Sequence, residues 1–385
     1  MPLPDYHGGS ILNLMSTVAA ACGASSPYAP LRGLDPARLA AKRNLVLLLV
    51  DGLGYNWLTR NWPDSIFCRH LQQRITSVFP STTATAITTV MTGLAPQQHA
   101  LTGWHMYFRE LDTVAAVLPF RTRATDESLT RIGADPAVLF DHAPIYDGLQ
   151  VATHLVSPQS IVNTEFNLAH AGRAMRHGYT KLPELFENIA RALSGGSNRK
   201  FIYAYFSELD VLAHEFGIAS PQVAAEFARL DAAFRGFLAQ IAGSDTHLVV
   251  TADHGFIDSP PECLIELDDH PALAAVLAQP LCGERRVAYC YVRPGRHPDF
   301  ERYVATRLGD QATLHRSADL IAQNWFGPGA PHPRLAERVG DYTLVMKDRC
   351  TLKDWLPNEK RHAHIGVHGG ISDDEMYVPL ITVAA

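Results

Sequence analysis

The sequence predicts an α/β protein built on a parallel sheet. Asn44–Val50 is a continuous apolar run, Phe201–Phe206 alternates large apolar residues, and His247–Thr251 is a third such run. Runs of this length fit strands covered on both faces, as in a parallel sheet. A long helical pattern, from about Pro221 to Ala242, separates the last two. Strand, helix, strand is the signature of an α/β sheet.

In chain order, residues 1–43 read as a short helix and a Pro/Gly-rich connector. Arg74–Phe79 reads as a strand, and Ala84–Met91 as a helix closed by Gly93. Residues 94–105 form a turn-rich loop. Residues 112–122 suit a strand or hairpin, and 135–150 have little pattern. Val151–Val156 reads as a strand and Leu182–Leu193 as a helix. After Gly255 the chain becomes rich in Pro and Gly. Residues 256–340 are expected to form an inserted subdomain, with Arg286–Val292 its clearest strand and Asp299–Leu308 its clearest helix. The core is expected to resume over 341–385, through Tyr342–Met346 and a last strand at Met376–Val383. The whole, 1–385, is read as one catalytic domain.

Composition narrows the class. The chain has 385 residues, 47% hydrophobic and 19% charged, with a net charge of -6. These values suit a globular protein. No Lys/Arg run supports binding to a nucleic-acid polymer. The apolar stretch 11–22 is interrupted by Asn13, Ser16 and Thr17 and is too short for a membrane span. The six cysteines are scattered with no CxxC pair, which suits reduced thiols in a cytoplasmic protein.

Chemistry-bearing side chains follow the strands. Asp51-Gly52 ends the first apolar run, and ligands in open α/β sheets bind beyond the carboxyl ends of strands. Asp253-His254-Gly255 ends the third. A carboxylate beside an imidazole is a metal half-site once the backbone turns, and Gly255 permits the turn. Asp210 and His214 follow the second run at a spacing that places both on one helix face. His368 sits in a Gly-rich loop before the last strand. Three Asp and three His suit two ions with open coordination positions. Thr82 and Thr83 begin a helix. Hydroxyls there are commonly N-caps, but a helix N-terminus also favours a phosphate, and a metal-activated hydroxyl is a usable nucleophile.

Taken together, several pieces resemble the alkaline phosphatase superfamily, in its type I phosphodiesterase/nucleotide pyrophosphatase branch. They are Leu47–Gly54, Phe79–Thr83, Thr92-Gly93-Leu94 with Pro96 and His99, Tyr205–His214 with Gly217, Thr251–Gly255, and Val367–Gly370. The resemblance implies an α/β/α sandwich with a mainly parallel sheet and two divalent metal ions, zinc first and manganese as the alternative. It implies that Thr83, ten residues before the Gly of Thr-Gly-Leu, is the nucleophile. Asp51, Thr83, Asp253 and His254 would hold one ion, and Asp210, His214 and His368 the other.

The expected activity is hydrolysis of phosphodiester or phosphoanhydride bonds through a phospho-threonine. The substrate is a small phosphoester, with nucleotides among the candidates. The sequence does not disclose an oligomeric state. One departure concerns the loop where many relatives carry a phosphate-binding Asn. Trp104 stands at that register with His105 beside it, so both are candidate substrate contacts. Alternatives are a phosphomonoesterase or phosphonate hydrolase on the same fold, a phosphomutase-like transferase, which the Thr nucleophile and small insert argue against, and a metal-binding protein without turnover. His99 is expected to be structural. His362 and His364 are expected to be exposed or packed rather than ligating.

Overall fold

Three neighbouring strands carry the centre of the molecule: Thr246–Thr251, Asn44–Val50 and Lys200–Phe206, all parallel. The computed structural model describes residues 2–357, 359–361 and 364–385. Among these, seven strands form the central sheet. Its order is Leu71–Thr76, Tyr377–Ala384, Thr246–Thr251, Asn44–Val50, Lys200–Phe206, Ala152–Pro158, Met175–Tyr179. Only Tyr377–Ala384 runs against its neighbours, Leu71–Thr76 and Thr246–Thr251.

Every residue of Asn44–Val50 and of Lys200–Phe206 is buried, which accounts for their lack of polar alternation. Each fully buried Leu or Val contributes about 1.5–3 kcal/mol relative to exposure. Helices cover the sheet. Leu182–Ser194 buries Leu182, Leu185, Phe186, Ile189 and Leu193, an apolar stripe of helical period. Pro221–Gln240 begins at Ser220, whose Oγ accepts from the Val223 N–H at 3.3 Å, and buries Phe227, Leu230 and Phe234. No helix among the described residues is long and apolar enough to cross a membrane.

A second sheet lies beside the first. Its order is Ala312–Arg316, Tyr342–Met346, Val287–Cys290, Cys282–Gly283, His105–Phe108, Thr113–Ala116, Arg121–Thr122. This corrects one expectation. Tyr342–Met346 does not return to the central sheet. It pairs antiparallel with both Val287–Cys290 and Ala312–Arg316, and the chain re-enters the central sheet only at Tyr377. A buried apolar run reads alike in either sheet. The second sheet also recruits 105–122, so its strands come from both sides of the middle of the chain.

Smaller differences are local. The expected strand Arg74–Phe79 is Leu71–Thr76. Beyond Thr76 the backbone turns toward other partners: Ser77 Oγ donates to the Asp253 carbonyl, and the Phe79 N–H donates to Tyr6 Oη at 3.1 Å. The expected helix at Asp299–Leu308 is an α-helix over His297–Tyr303 that widens into a π-turn over Val304–Leu308. Residues 135–150 hold two short helices, Pro136–Leu139 and Ile145–Gly148.

Candidate metal centre and active site

The carboxyl ends of the three central strands bring Asp51, Asp210 and Asp253 together. Asp51 follows Val50 directly. Asp253 lies two residues past Thr251. Asp210 lies in the first turn of the helix Glu208–Phe216, whose last turn carries His214. Two glycines let these loops close on one another. Gly52 has φ +75, and a Cβ there would meet the Phe256 ring at 2.4 Å. A Cβ on Gly255 would lie 2.0 Å from the Asp374 carbonyl oxygen.

Among the described residues, each of these aspartates has one carboxylate oxygen without a hydrogen-bond partner. Asp51 Oδ2 accepts from Tyr205 Oη, while Oδ1 has no partner. Asp253 Oδ1 accepts from the Gly52 N–H at 3.1 Å and the His254 N–H at 3.0 Å, while Oδ2 has none. Asp210 Oδ1 also has none. These same three oxygens surround His254 Nε2, at 3.4 Å from Asp51, 3.4 Å from Asp253 and 4.0 Å from Asp210.

The imidazoles converge in the same way. His254 Nδ1 faces the Gly255 carbonyl at 3.1 Å, His214 Nδ1 the Gly366 carbonyl at 2.9 Å, and His368 Nδ1 the Ser81 carbonyl at 3.3 Å. A carbonyl only accepts, so each Nδ1 carries the proton and each Nε2 presents a lone pair. The Nε2 atoms of His214 and His368 lie 3.2 Å apart, and those of His214 and His368 lie 3.5 and 3.9 Å from Asp210 Oδ1. Facing lone pairs and unpartnered buried carboxylates repel one another without a cation between them. The residues therefore fit divalent metal. Backbone carbonyls fixing Nδ1–H are the usual outer support of such ligands.

Among the described residues, two groups have the geometry to hold an ion: Asp51, Asp253 and His254, and Asp210, His254 and His368. His254 thus belongs to both groups, with His214 at the edge of the second. Burial, then the charges of Asp210 and Asp253, raises the Asp51 carboxyl well above its usual range. Burial, then Asp253 and Glu284, does the same to Asp210. Burial, then His254 and His214, holds His368 neutral.

Thr83 is the first residue of the helix Thr83–Thr92, and its Oγ1 lies 3.1 Å from His254 Nε2. Thr82 turns away, donating to Glu284 Oε1 at 2.6 Å. A cavity of about 630 Å³ opens over Thr83, Asp210, His214 and His368. The second sheet, its loops and the separate strand Thr351–Lys353 supply the facing wall, with Trp104, His105, Glu284, Arg285, Lys353 and Trp355.

Trp104 is 38% exposed at this wall, and its backbone N–H donates to Glu284 Oε1 at 2.7 Å. His105 also lines the cavity, held neutral by burial and then by Arg123 and Lys353. His99 stands apart, bonded to Thr89 Oγ1 and to the Leu101 N–H at 3.1 and 3.0 Å. His364 lines the cavity with its ring 4.5 Å from that of His214, and His362 lies outside the described residues.

Sequence reasoning did not single out Glu284 or the buried pair Arg286–Glu375. The pair supports the His368 loop: Glu375 Oε1 accepts the Gly370 N–H at 2.8 Å, and the Glu375 carbonyl accepts the Gly255 N–H at 2.8 Å. An acidic residue three places after Ser372 is a capping-box signal that could have marked Glu375. Nothing local marks Glu284.

The family model for type I phosphodiesterase/nucleotide pyrophosphatase matches residues 45–371. No curated protein matches the chain in sequence. Murine ectonucleotide pyrophosphatase/phosphodiesterase 5 superposes with a TM-score of 0.65 at 17% identity, covering 87% of each chain. The human protein of that name gives 0.64 at 16% identity, covering 88% of this chain and 87% of that one. Phosphonoacetate hydrolase from Sinorhizobium meliloti 1021, in complex with phosphonoformate, gives 0.61 at 15% identity, with 89% and 90% covered. At these identities the likeness to the solved structures is one of fold.

Proposed function

Because the chain belongs to the type I phosphodiesterase/nucleotide pyrophosphatase family, we propose that it is a two-metal hydrolase of phosphodiester or phosphoanhydride bonds with Thr83 as nucleophile. The observation that supports this most is the convergence of three unpartnered aspartate oxygens on His254 Nε2, beside the Thr83 hydroxyl. Asp51, Thr83, Asp253 and His254 would hold one ion and Asp210, His214 and His368 the other, with zinc expected and manganese the alternative. When bound, the ions supply Lewis acidity, which eases loss of a hydroxyl proton and offsets charge on a leaving oxygen.

Thr83 Oγ1 loses its proton to solvent and attacks phosphorus in line. The bond to the leaving alcohol or nucleotide breaks and a phospho-threonine forms. The N-terminal N–H groups of Thr83–Thr92 face the phosphoryl group and favour its charge. Water then attacks from the opposite side and frees Thr83. The two fixed Nδ1–H···O=C bonds of His214 and His368 keep these rings oriented through both steps. The scattered free thiols support a cytoplasmic setting.

A second reading, a phosphonate hydrolase or phosphomonoesterase, is favoured by the cationic wall. Arg285 and Lys353 line the cavity, and would meet a carboxylate such as that of phosphonoacetate, the ligand of one structural neighbour. The test is turnover of bis-p-nitrophenyl phosphate, p-nitrophenyl phosphate and phosphonoacetate by zinc-loaded protein. Preference for the diester is expected. Preference for either of the others replaces this reading with the second.

A further inference from the structure

Glu284 stands at the junction of the cavity wall and the nucleophile helix. Its Oε1 is taken up by two donors, Thr82 Oγ1 at 2.6 Å and the Trp104 N–H at 2.7 Å. Among the described residues Oε2 has no hydrogen-bond donor, and Glu284 lines the cavity that contains Thr83. Its side chain also abuts the loop after His368, since a Cβ on Gly369 would lie 2.8 Å from Glu284 Cβ. The carboxylate is therefore fixed against the start of the Thr83–Thr92 helix and the Trp104 loop, with its stem against the loop after His368.

Building on the two-metal reading above, we propose that Glu284 is a specificity residue that disfavours a dianionic phosphoryl group and so selects diesters. A phosphodiester carries one charge on two non-bridging oxygens, and its remaining substituents are neutral. A phosphomonoester above neutral pH carries two charges on three oxygens. The two donors that Glu284 engages, the Thr82 hydroxyl and the Trp104 backbone N–H, both go to Oε1. Glu284 thus brings a carboxylate to the wall of the cavity that holds Thr83, and a third charged phosphoryl oxygen placed there is repelled. Burial raises the Glu284 carboxyl to about 7, against the hydrogen bonds from Thr82 and Trp104 and then the charges of Arg285 and Lys353, so it is ionised at pH 8. Lys353 is paired with Glu359 at 3.3 Å, which leaves less of its charge for Glu284.

The test is the ratio of kcat/KM for p-nitrophenyl phosphate to that for bis-p-nitrophenyl phosphate, in zinc-loaded protein at about pH 8, where the monoester is dianionic. Glu284→Gln keeps an acceptor for Thr82 and Trp104 and removes the charge. The expected result is a rise in the ratio of about tenfold or more, carried mainly by KM of the monoester. A merely structural role lowers both rates together, so an unchanged ratio with intact wild-type diester turnover overturns this inference alone. Turnover of neither ester by wild type overturns the two-metal reading and this inference with it. If Glu284→Gln does not fold, Glu284→Ala gives the same readout, because the ratio is internal to one preparation.

Discussion

Thr82 and Thr83 are neighbours whose hydroxyls engage different partners at one helix start. Oγ1 of Thr83 lies 3.1 Å from His254 Nε2, and Oγ1 of Thr82 lies 2.6 Å from Glu284. The two are therefore expected to separate on mutation. Thr83→Ala lowers turnover by about 10³-fold or more while the protein still binds metal. Thr82→Val leaves a covalent phospho-enzyme on residue 83, trapped by acid quench and read by peptide mass. Phosphoryl label on Thr82 in the wild type would reverse the assignment.

Metal removal and carboxylate removal should oppose each other in stability. In metal-free protein burial raises the Asp51 carboxyl, and the charges of Asp210 and Asp253 raise it further. A raised carboxyl costs stability at every pH above its unfolded value, so the cost is present at neutral pH. Asp51→Asn is expected to stabilise the metal-free protein. The same substitution removes most of the stabilisation that zinc gives the wild type. Thermal melts with chelator and with zinc measure both. A destabilised metal-free Asp51→Asn protein would argue against the repulsion.

The Arg286–Glu375 pair is buried, with side chains 2% and 0% exposed and an N–O distance of 3.0 Å. Removing one partner leaves an unpaired charge inside the protein. Glu375→Gln should cost about 3–5 kcal/mol in denaturant unfolding. It should also weaken zinc binding, because Glu375 holds the Gly370 N–H beside His368. Unchanged zinc affinity would separate the pair from the site.

Arg123, Asp354 and Glu359 form a third testable network, with Arg123–Asp354 at 2.6 Å and Arg123–Glu359 at 2.8 Å. Burial alone would raise the Glu359 carboxyl, but Arg123, the Leu356 N–H and Lys353 hold it down to about 2. A depressed carboxyl contributes stability above its unfolded value, near 4.5 here. That contribution fades as pH falls toward about 2. The stability gap between wild type and Glu359→Gln should therefore shrink across this window. A gap that is flat with pH would mean that the pair contributes through shape rather than charge.

The strand-to-ligand junctions were legible because each places chemistry directly after an apolar run: Val50 to Asp51, Phe206 to Asp210, Thr251 to Asp253. Asp210 and His214 were legible as a pair because a helix sets their spacing. The sheet membership of Tyr342–Met346 was not, since burial on both faces erases the pattern that would name a partner. Glu284 was not legible either. Its two partners are 202 and 180 residues away in sequence, and no local spacing carries that information. The sharing of His254 between two ligand groups is likewise a property of convergence in space.

Tyr377–Ala384 sits between Leu71–Thr76 and Thr246–Thr251, pairing with both. This has a consequence for synthesis on the ribosome. When Met346 emerges, both flanking strands have already been made, yet the one that joins them has not. The nascent chain must keep Leu71–Thr76 and Thr246–Thr251 apart by one strand width, with two open edges exposed to wrong pairing. The turn at Gly255 also awaits Glu375, whose carbonyl receives its N–H. Closure of the sheet and assembly of the Asp253–His254 corner are thus late events that occur together, and a chain stalled short of Glu375 has neither.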